Sequence, residues 1–135
     1  MNQIILIRNA QVINEGLIQK KDLLIENERI SKLADSIEVD ENYRVIDAEG
    51  MYLIPGLIDD QVHFREPGVT YKADIHTESR AAIAGGITSF MEMPNTKPNT
   101  LTQELLEEKY KRASETSYAN YSFIWEPAMI TWKKY

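Results

Sequence analysis

Residues 55–68 read Pro55-Gly56-Leu57-Ile58-Asp59-Asp60-Gln61-Val62-His63-Phe64-Arg65-Glu66-Pro67-Gly68. Leu57–Phe64 has the length and composition of a strand, and the Pro67-Gly68 pair closes it with a turn. Side chains alternate along a strand, so Asp59, Gln61, His63 and Arg65 share one face while Ile58, Val62 and Phe64 share the other. Four polar residues on one face have two readings. One is the solvated side of an edge strand. The other is a strand of an α/β barrel, with its polar groups gathered at the C-terminal end where such barrels place their sites. The Arg65-Glu66-Pro67-Gly68 break favours the second, because a strand that ends in a site loop needs one.

Downstream of this stretch, strand and helix patterns alternate. Asp74–Ala84 reads as a helix with Asp74 as N-cap, and Ile75, Ser79, Ala82 and Ile83 lie on one face. Gly85-Gly86 ends it. Ile87–Met93 is the next strand, and Leu101–Ala113 the next helix, with Thr100 and Gln103 at capping-box spacing and Leu105, Leu106, Tyr110 and Ala113 as its apolar stripe. Tyr118–Ile124 is a third strand. Strand-helix-strand-helix-strand implies right-handed crossovers and a parallel α/β sheet. Upstream, residues 1–55 read as short strands with tight turns: Ile4–Ile13, Asp22–Ile25, Arg29–Leu33, Arg44–Asp47 and Tyr52–Ile54. Glu26-Asn27-Glu28 forms a hairpin-like connection. These strands are expected to form part of a small β-sandwich or a shallow sheet.

Composition limits the function classes. Of 135 residues, 15 are Lys or Arg and 21 Asp or Glu, giving −6 at pH 7. That balance argues against nucleic acid or an anionic membrane surface as partner. With no cysteine, disulfide scaffolds, thiolate metal sites and a cysteine nucleophile are excluded. The two histidines, His63 and His76, cannot by themselves build a four-ligand metal cage. No basic-plus-apolar leader and no membrane-length apolar run is present, so a cytoplasmic location is expected.

A second polar stretch follows the Ile87–Met93 strand: Pro94-Asn95-Thr96-Lys97-Pro98. Asn95 can donate to and accept from a small polar ligand, although Pro and Asn are also ordinary turn residues. His76 is expected at the surface. Glu104, Glu107, Glu108, Lys109, Lys111 and Arg112 are expected to form the solvated face of the second helix.

Taken in order, Pro55–Gly68, then Ala81-Ala82-Ile83-Ala84-Gly85-Gly86-Ile87-Thr88, then Met93-Pro94-Asn95-Thr96 resemble dihydroorotases of the amidohydrolase superfamily. The opening strand, with Arg8-Asn9-Ala10, is similar too, and the resemblance spans about residues 3–124. It implies a TIM-like (β/α) barrel preceded by part of a small β-sandwich. It also implies a zinc-dependent, reversible hydrolysis of dihydroorotate to N-carbamoyl-aspartate in pyrimidine synthesis. Matched residue by residue, it makes His63 a metal ligand and assigns substrate binding to Arg65 and Asn95. Gln61 stands where the family has the first histidine of its metal pair, and an amide is a poorer zinc ligand than imidazole. No catalytic residue of the family falls within the chain.

A complete barrel takes about 250 residues, whereas Leu57 to Tyr135 holds 79 (135 − 56). The expectation is therefore a truncated barrel start: residues 1–55 from the β-sandwich, 56–124 as two to three βα units, and 125–135 as an unrelated-looking tail carrying both tryptophans. Such a chain is expected to be inactive alone, marginally stable and prone to self-association. Two rival readings are a hydantoinase, dihydropyrimidinase or allantoinase of the same superfamily, and a non-catalytic scaffold for aspartate carbamoyltransferase. Gln61 raises the second.

Overall fold

The computed structural model describes residues 4–126. Met1–Pro55 and Gly56–Tyr135 form two compact units. The tail expected from residue 125 lies, from 127 onward, outside the described residues.

The first unit is one mixed sheet of β1 (Ile4–Asn14), β2 (Leu17–Glu26), β3 (Arg29–Ala34), β4 (Tyr43–Asp47) and β5 (Tyr52–Leu53). Its order is β3-β2-β1-β4, with β5 also on β1. Two-residue turns join the first three strands. Glu15 and Gly16 (φ 50° and 77°) link β1 to β2, and Asn27 and Glu28 (φ 50° and 62°) link β2 to β3. Positive φ at both central residues matches the turn to the strands' right-handed twist. The ladder carries β2 back to Leu17, five residues before its expected start, because Asn14↔Leu17 through Ala10↔Lys21 stay paired.

β1 serves two parallel partners in succession, β4 along Ile4–Arg8 and β5 at Gln11–Val12. Between them its register against β2 slips, at Asn9 in the left-handed region (φ 60°). Buried Asp22 holds this irregularity: its carboxylate accepts the N–H of Asn9 at 2.9 Å and of Ile37 at 3.0 Å. Asn9 Nδ2 donates to Asp47 at 3.0 Å. Leu6, Leu24 and Ile37 form the core of this unit, with Ile4, Ala34 and Tyr43 against it.

The second unit runs β6 (Leu57–Val62), α1 (Ile75–Ala84), β7 (Ile87–Glu92), α2 (Gln103–Thr116) and β8 (Asn120–Phe123). Its strands are parallel in the order β6-β7-β8. This is the fold class expected, an α/β barrel start with a strand-rich segment before it. Asp74 caps α1, accepting the Thr77 N–H at 2.7 Å, and that bond holds its carboxyl below the usual carboxylate range.

The cap of α2 is Thr102, whose hydroxyl accepts the Leu105 N–H. Thr100, the expected cap, is instead buried, with its N–H on Pro94 O at 3.0 Å. The helix thus begins two residues later than expected, at Gln103. The core joins Phe64, Ile75, Phe90, Ala113, Ala119 and Phe123. Phe64 and Phe90 stack at 4.4 Å, and burying each such ring is worth about 1.5–3 kcal/mol. Ile58, expected on the buried side of β6 with Val62 and Phe64, is 71% exposed.

Candidate active site

The C-terminal ends of β6 and β7 lie side by side, because parallel pairing puts Val62 opposite Glu92 and sends the Met93 N–H to Val62 O at 3.0 Å. The loops that follow therefore leave from the same end of the sheet. His63 and Asn95, 32 positions apart, meet there, with Nδ1 3.0 Å from Asn95 Oδ1. With Nδ1–H donating to that oxygen, Nε2 keeps its lone pair for a metal or a proton. The loops are tied again where the Lys97 N–H donates to Pro67 O at 3.0 Å. Gly68 (φ 83°) packs so closely on Lys97 that a Cβ would sit 2.8 Å from the Lys97 carbonyl carbon.

Arg65 stands between these contacts. It is half-buried and adopts φ 70°, a conformation that costs a non-glycine residue about 1–2 kcal/mol. The Val69 N–H closes a turn onto its carbonyl at 3.1 Å. None of the ion pairs among the described residues uses its guanidinium. A partly desolvated guanidinium outside those ion pairs is suited to a carboxylate, which it grips with two parallel bonds.

Gln61 is exposed, with its backbone N–H on Asp59 Oδ1 at 3.1 Å. Among the described residues, no three His, Asp or Glu side chains gather in a way that could hold a metal ion. One imidazole and one neutral amide do not make a zinc site. The donors within this chain, taken by themselves, do not fit the metal. His76 is exposed, its ring 5.2 Å from that of Tyr118.

The structure adds a pair that the sequence reading missed. Glu92 ends β7 fully buried, and Lys109 of α2, expected in the solvated face, is 1% exposed. Lys109 Nζ lies 2.9 Å from Glu92 Oε2 and donates to Met93 O at 3.3 Å. It also sits 4.9 Å from the centroid of the Phe123 ring. Burial pushes the Glu92 carboxyl up, opposed by the Lys109 ammonium. Burial likewise pushes Lys109 down, opposed by Glu92. Neither Glu92 oxygen has a hydrogen bond of standard geometry, so the pair is held by charge. The signal was in the pattern: Glu92 follows Phe90 at strand spacing, and Lys109 lies at i+3 from Leu106 and i−4 from Ala113 on the buried stripe.

Parallel strands with crossover helices, and a cation, an imidazole and an amide at the strands' C-terminal ends, define the opening of an amidohydrolase-type α/β barrel. The comparisons narrow the class. Residues 50–130 match the family model described as dihydro-orotase-like. A dihydroorotase of Pelobacter propionicus is 41% identical over 118 residues, covering 86% of this chain and 28% of that protein. One of Carboxydothermus hydrogenoformans is 50% identical over 95 residues, 69% of this chain and 22% of that protein. Among solved structures, an L-hydantoinase (dihydropyrimidinase) from Arthrobacter aurescens superposes with a TM-score of 0.84 at 27% identity, covering 91% of this chain and 27% of its own.

This chain belongs to the dihydro-orotase-like family. It spans about a quarter of the length of the curated relatives it matches. The family match also runs past Ile124, where the sequence pattern alone loses the resemblance.

Proposed function

We propose that this chain supplies the substrate-gripping opening of a dihydroorotase-type cyclic amidohydrolase. In this reading the reaction adds water across the ring amide of dihydroorotate. The C–N bond breaks, the nitrogen takes a proton, and N-carbamoyl-aspartate leaves with its new carboxylate. Arg65 binds the carboxylate the ring already carries, and Asn95 orients the ring polar groups beside it. The observation that carries this reading is half-buried Arg65, whose guanidinium enters no ion pair among the described residues, in the loop after β6 where His63 and Asn95 meet. His63 is a candidate donor toward zinc, with Gln61 a poor companion. Because these two do not complete a metal site, no chemical step is assigned to it, and the chain by itself is expected not to open the ring.

Residues 1–55 then belong to the small β-sandwich, and residues 56–124 form the first two to three βα units. A scaffold role beside aspartate carbamoyltransferase is favoured by one observation, Gln61 in place of a metal-binding histidine. The relatedness to an L-hydantoinase supports cyclic amides as the substrate class, and Arg65 selects an anionic one.

Two measurements on the 135-residue chain test the proposal. Calorimetric titration with N-carbamoyl-L-aspartate is expected to show binding that Arg65→Ala removes. Ring opening of dihydroorotate, with zinc added, is expected at background rate. Binding that survives Arg65→Ala overturns the grip, and turnover overturns the assignment of incompleteness.

A further inference from the structure

We propose that Glu66 is a positioning residue for Arg65, an inference that rests on the substrate-gripping reading above. Glu66 follows Arg65 directly in the loop between β6 and α1, and its side chain is 17% exposed. Both carboxylate oxygens turn toward helices. Oε2 accepts the backbone N–H of Ile75, the first residue of α1, at 3.0 Å. Oε1 lies 3.8 Å from Nη1 of Arg112 on α2, and the same guanidinium is bonded to Glu108 one turn earlier.

The first N–H groups of a helix have no partner inside it, and a negative charge is favoured beside them. α1 already carries its own cap: Asp74 accepts the Thr77 N–H through Oδ1 and the Glu78 N–H through its carbonyl. Glu66 serves a different donor, from nine residues away. Ile75 is fully buried in the core cluster that includes Phe64, so the bond joins the loop to a closely packed part of the unit.

Arg65 needs such support. A non-glycine residue at φ 70° keeps that backbone only where its surroundings over-determine it. Ties lie on either side of Glu66: the Arg65 carbonyl accepts the Val69 N–H at 3.1 Å, and the Pro67 carbonyl accepts the Lys97 N–H at 3.0 Å. Those two close the loop on itself and on the Asn95 loop, whereas Glu66 anchors it to the helices. The peptide joining Arg65 to Glu66 is thereby held at its far end, and with it the direction in which the arginine side chain leaves the backbone. A guanidinium aimed before the ligand arrives loses less freedom on binding.

The test separates aiming of Arg65 from capping of α1. Glu66→Ala removes the acceptor, and Glu66→Gln keeps a carbonyl oxygen for the Ile75 N–H. Asp74→Ala weakens the same helix end without touching the Arg65 turn. Binding of N-carbamoyl-L-aspartate is followed by calorimetry. Hydrogen exchange of the Val69 amide, which closes the turn on Arg65, is followed by NMR relative to the Phe90 amide of β7. Glu66→Ala is expected to weaken binding and speed that relative exchange, each roughly tenfold, as for one lost hydrogen bond to a charged group. Glu66→Gln and Asp74→Ala are expected to keep both values of the unmodified chain.

A loss in Glu66→Gln or Asp74→Ala equal to that in Glu66→Ala overturns the positioning role, as does a Glu66→Ala chain that keeps both values. If the unmodified chain fails to bind the probe, the gripping reading falls on its own, and Val69 exchange still decides whether Glu66 holds the Arg65 turn. Should Glu66→Ala melt without cooperativity, Glu66→Asp takes its place, keeping the charge but drawing the carboxylate back by one methylene from the Ile75 N–H. Relative Val69 exchange is then expected to speed, and an unchanged rate overturns the proposal.

Discussion

Replacing Gly68 by alanine sets two penalties on one residue, and a second glycine separates them. Gly68 has φ 83°, and an added Cβ would overlap Lys97 O, with Lys97 Cβ at 2.7 Å and the carbonyl carbon at 2.8 Å. Gly86 of the same unit has φ 89° and nothing within 4 Å of its Cβ position. Both substitutions force alanine into the left-handed region at about 1–2 kcal/mol. Only Gly68→Ala adds overpacking against a backbone, which costs about 1–3 kcal/mol. The neighbour cannot yield freely, because the Lys97 N–H is bonded to Pro67 O at 3.0 Å.

Gly68→Ala is therefore expected to destabilise the second unit by about 2–5 kcal/mol, against about 1–2 kcal/mol for Gly86→Ala. The assay is urea unfolding followed by amide signals of β7 and α2, with signals of β1 and β2 as the internal reference. The larger cost should also loosen the Asn95 loop, so the His63 and Asn95 signals should broaden or shift in Gly68→Ala alone. Equal costs for the two variants would refute the close approach of the loops.

Lys109→Met leaves Glu92 buried and unpaired, and is expected to cost about 3–5 kcal/mol at pH 7. Because the Glu92 carboxyl is raised above its ordinary value near 4.5, its destabilising effect is absent below that value and grows as pH rises through the folded value. Acidifying this variant from pH 7 toward 4.5 should thus restore stability in a melt series, and a pH-independent cost would contradict the burial. Asp74, held low, gives stability above its ordinary 3.8 that is lost only as pH falls further, so it leaves that window clear. In the first unit, Asp22→Ala strips the acceptor from the N–H groups of Asn9 and Ile37. It is expected to cost about 2–4 kcal/mol, and a change below 1 kcal/mol by urea unfolding would count against the bulge depending on Asp22. Leu57 and Ile58, 50% and 71% exposed on β6, are expected to drive concentration-dependent self-association, read by sedimentation. A monomer at all concentrations would contradict it.

The polar alternation of Asp59, Gln61, His63 and Arg65 and the Gly85-Gly86 stop made the parallel α/β unit legible, because strand and helix periods differ and glycine marks the boundary. The meeting of His63 with Asn95 followed from placing both after parallel strands. Other features were hidden for physical reasons. Gln19, Lys20 and Lys21 carry no apolar signal, and the β1 ladder alone extends β2 through them. Thr100 and Thr102 both suit a cap, and burial of Thr100 decides between them. Lys109 read as a surface charge because it was weighed without Glu92. Only the packing of α2 over the sheet, against β8, brings the two together and makes burial affordable.

Arg65 is proposed to read a carboxylate at the strand end. The most direct measurement is a paired NMR titration of the ¹⁵N-labelled chain with dihydroorotate and with dihydrouracil, the same ring without its carboxylate. Shifts at Arg65, His63 and Asn95 with dihydroorotate, absent with dihydrouracil and abolished by Arg65→Ala, are the predicted result. Equal responses to the two rings, or shifts confined to residues away from the ends of β6 and β7, would contradict it.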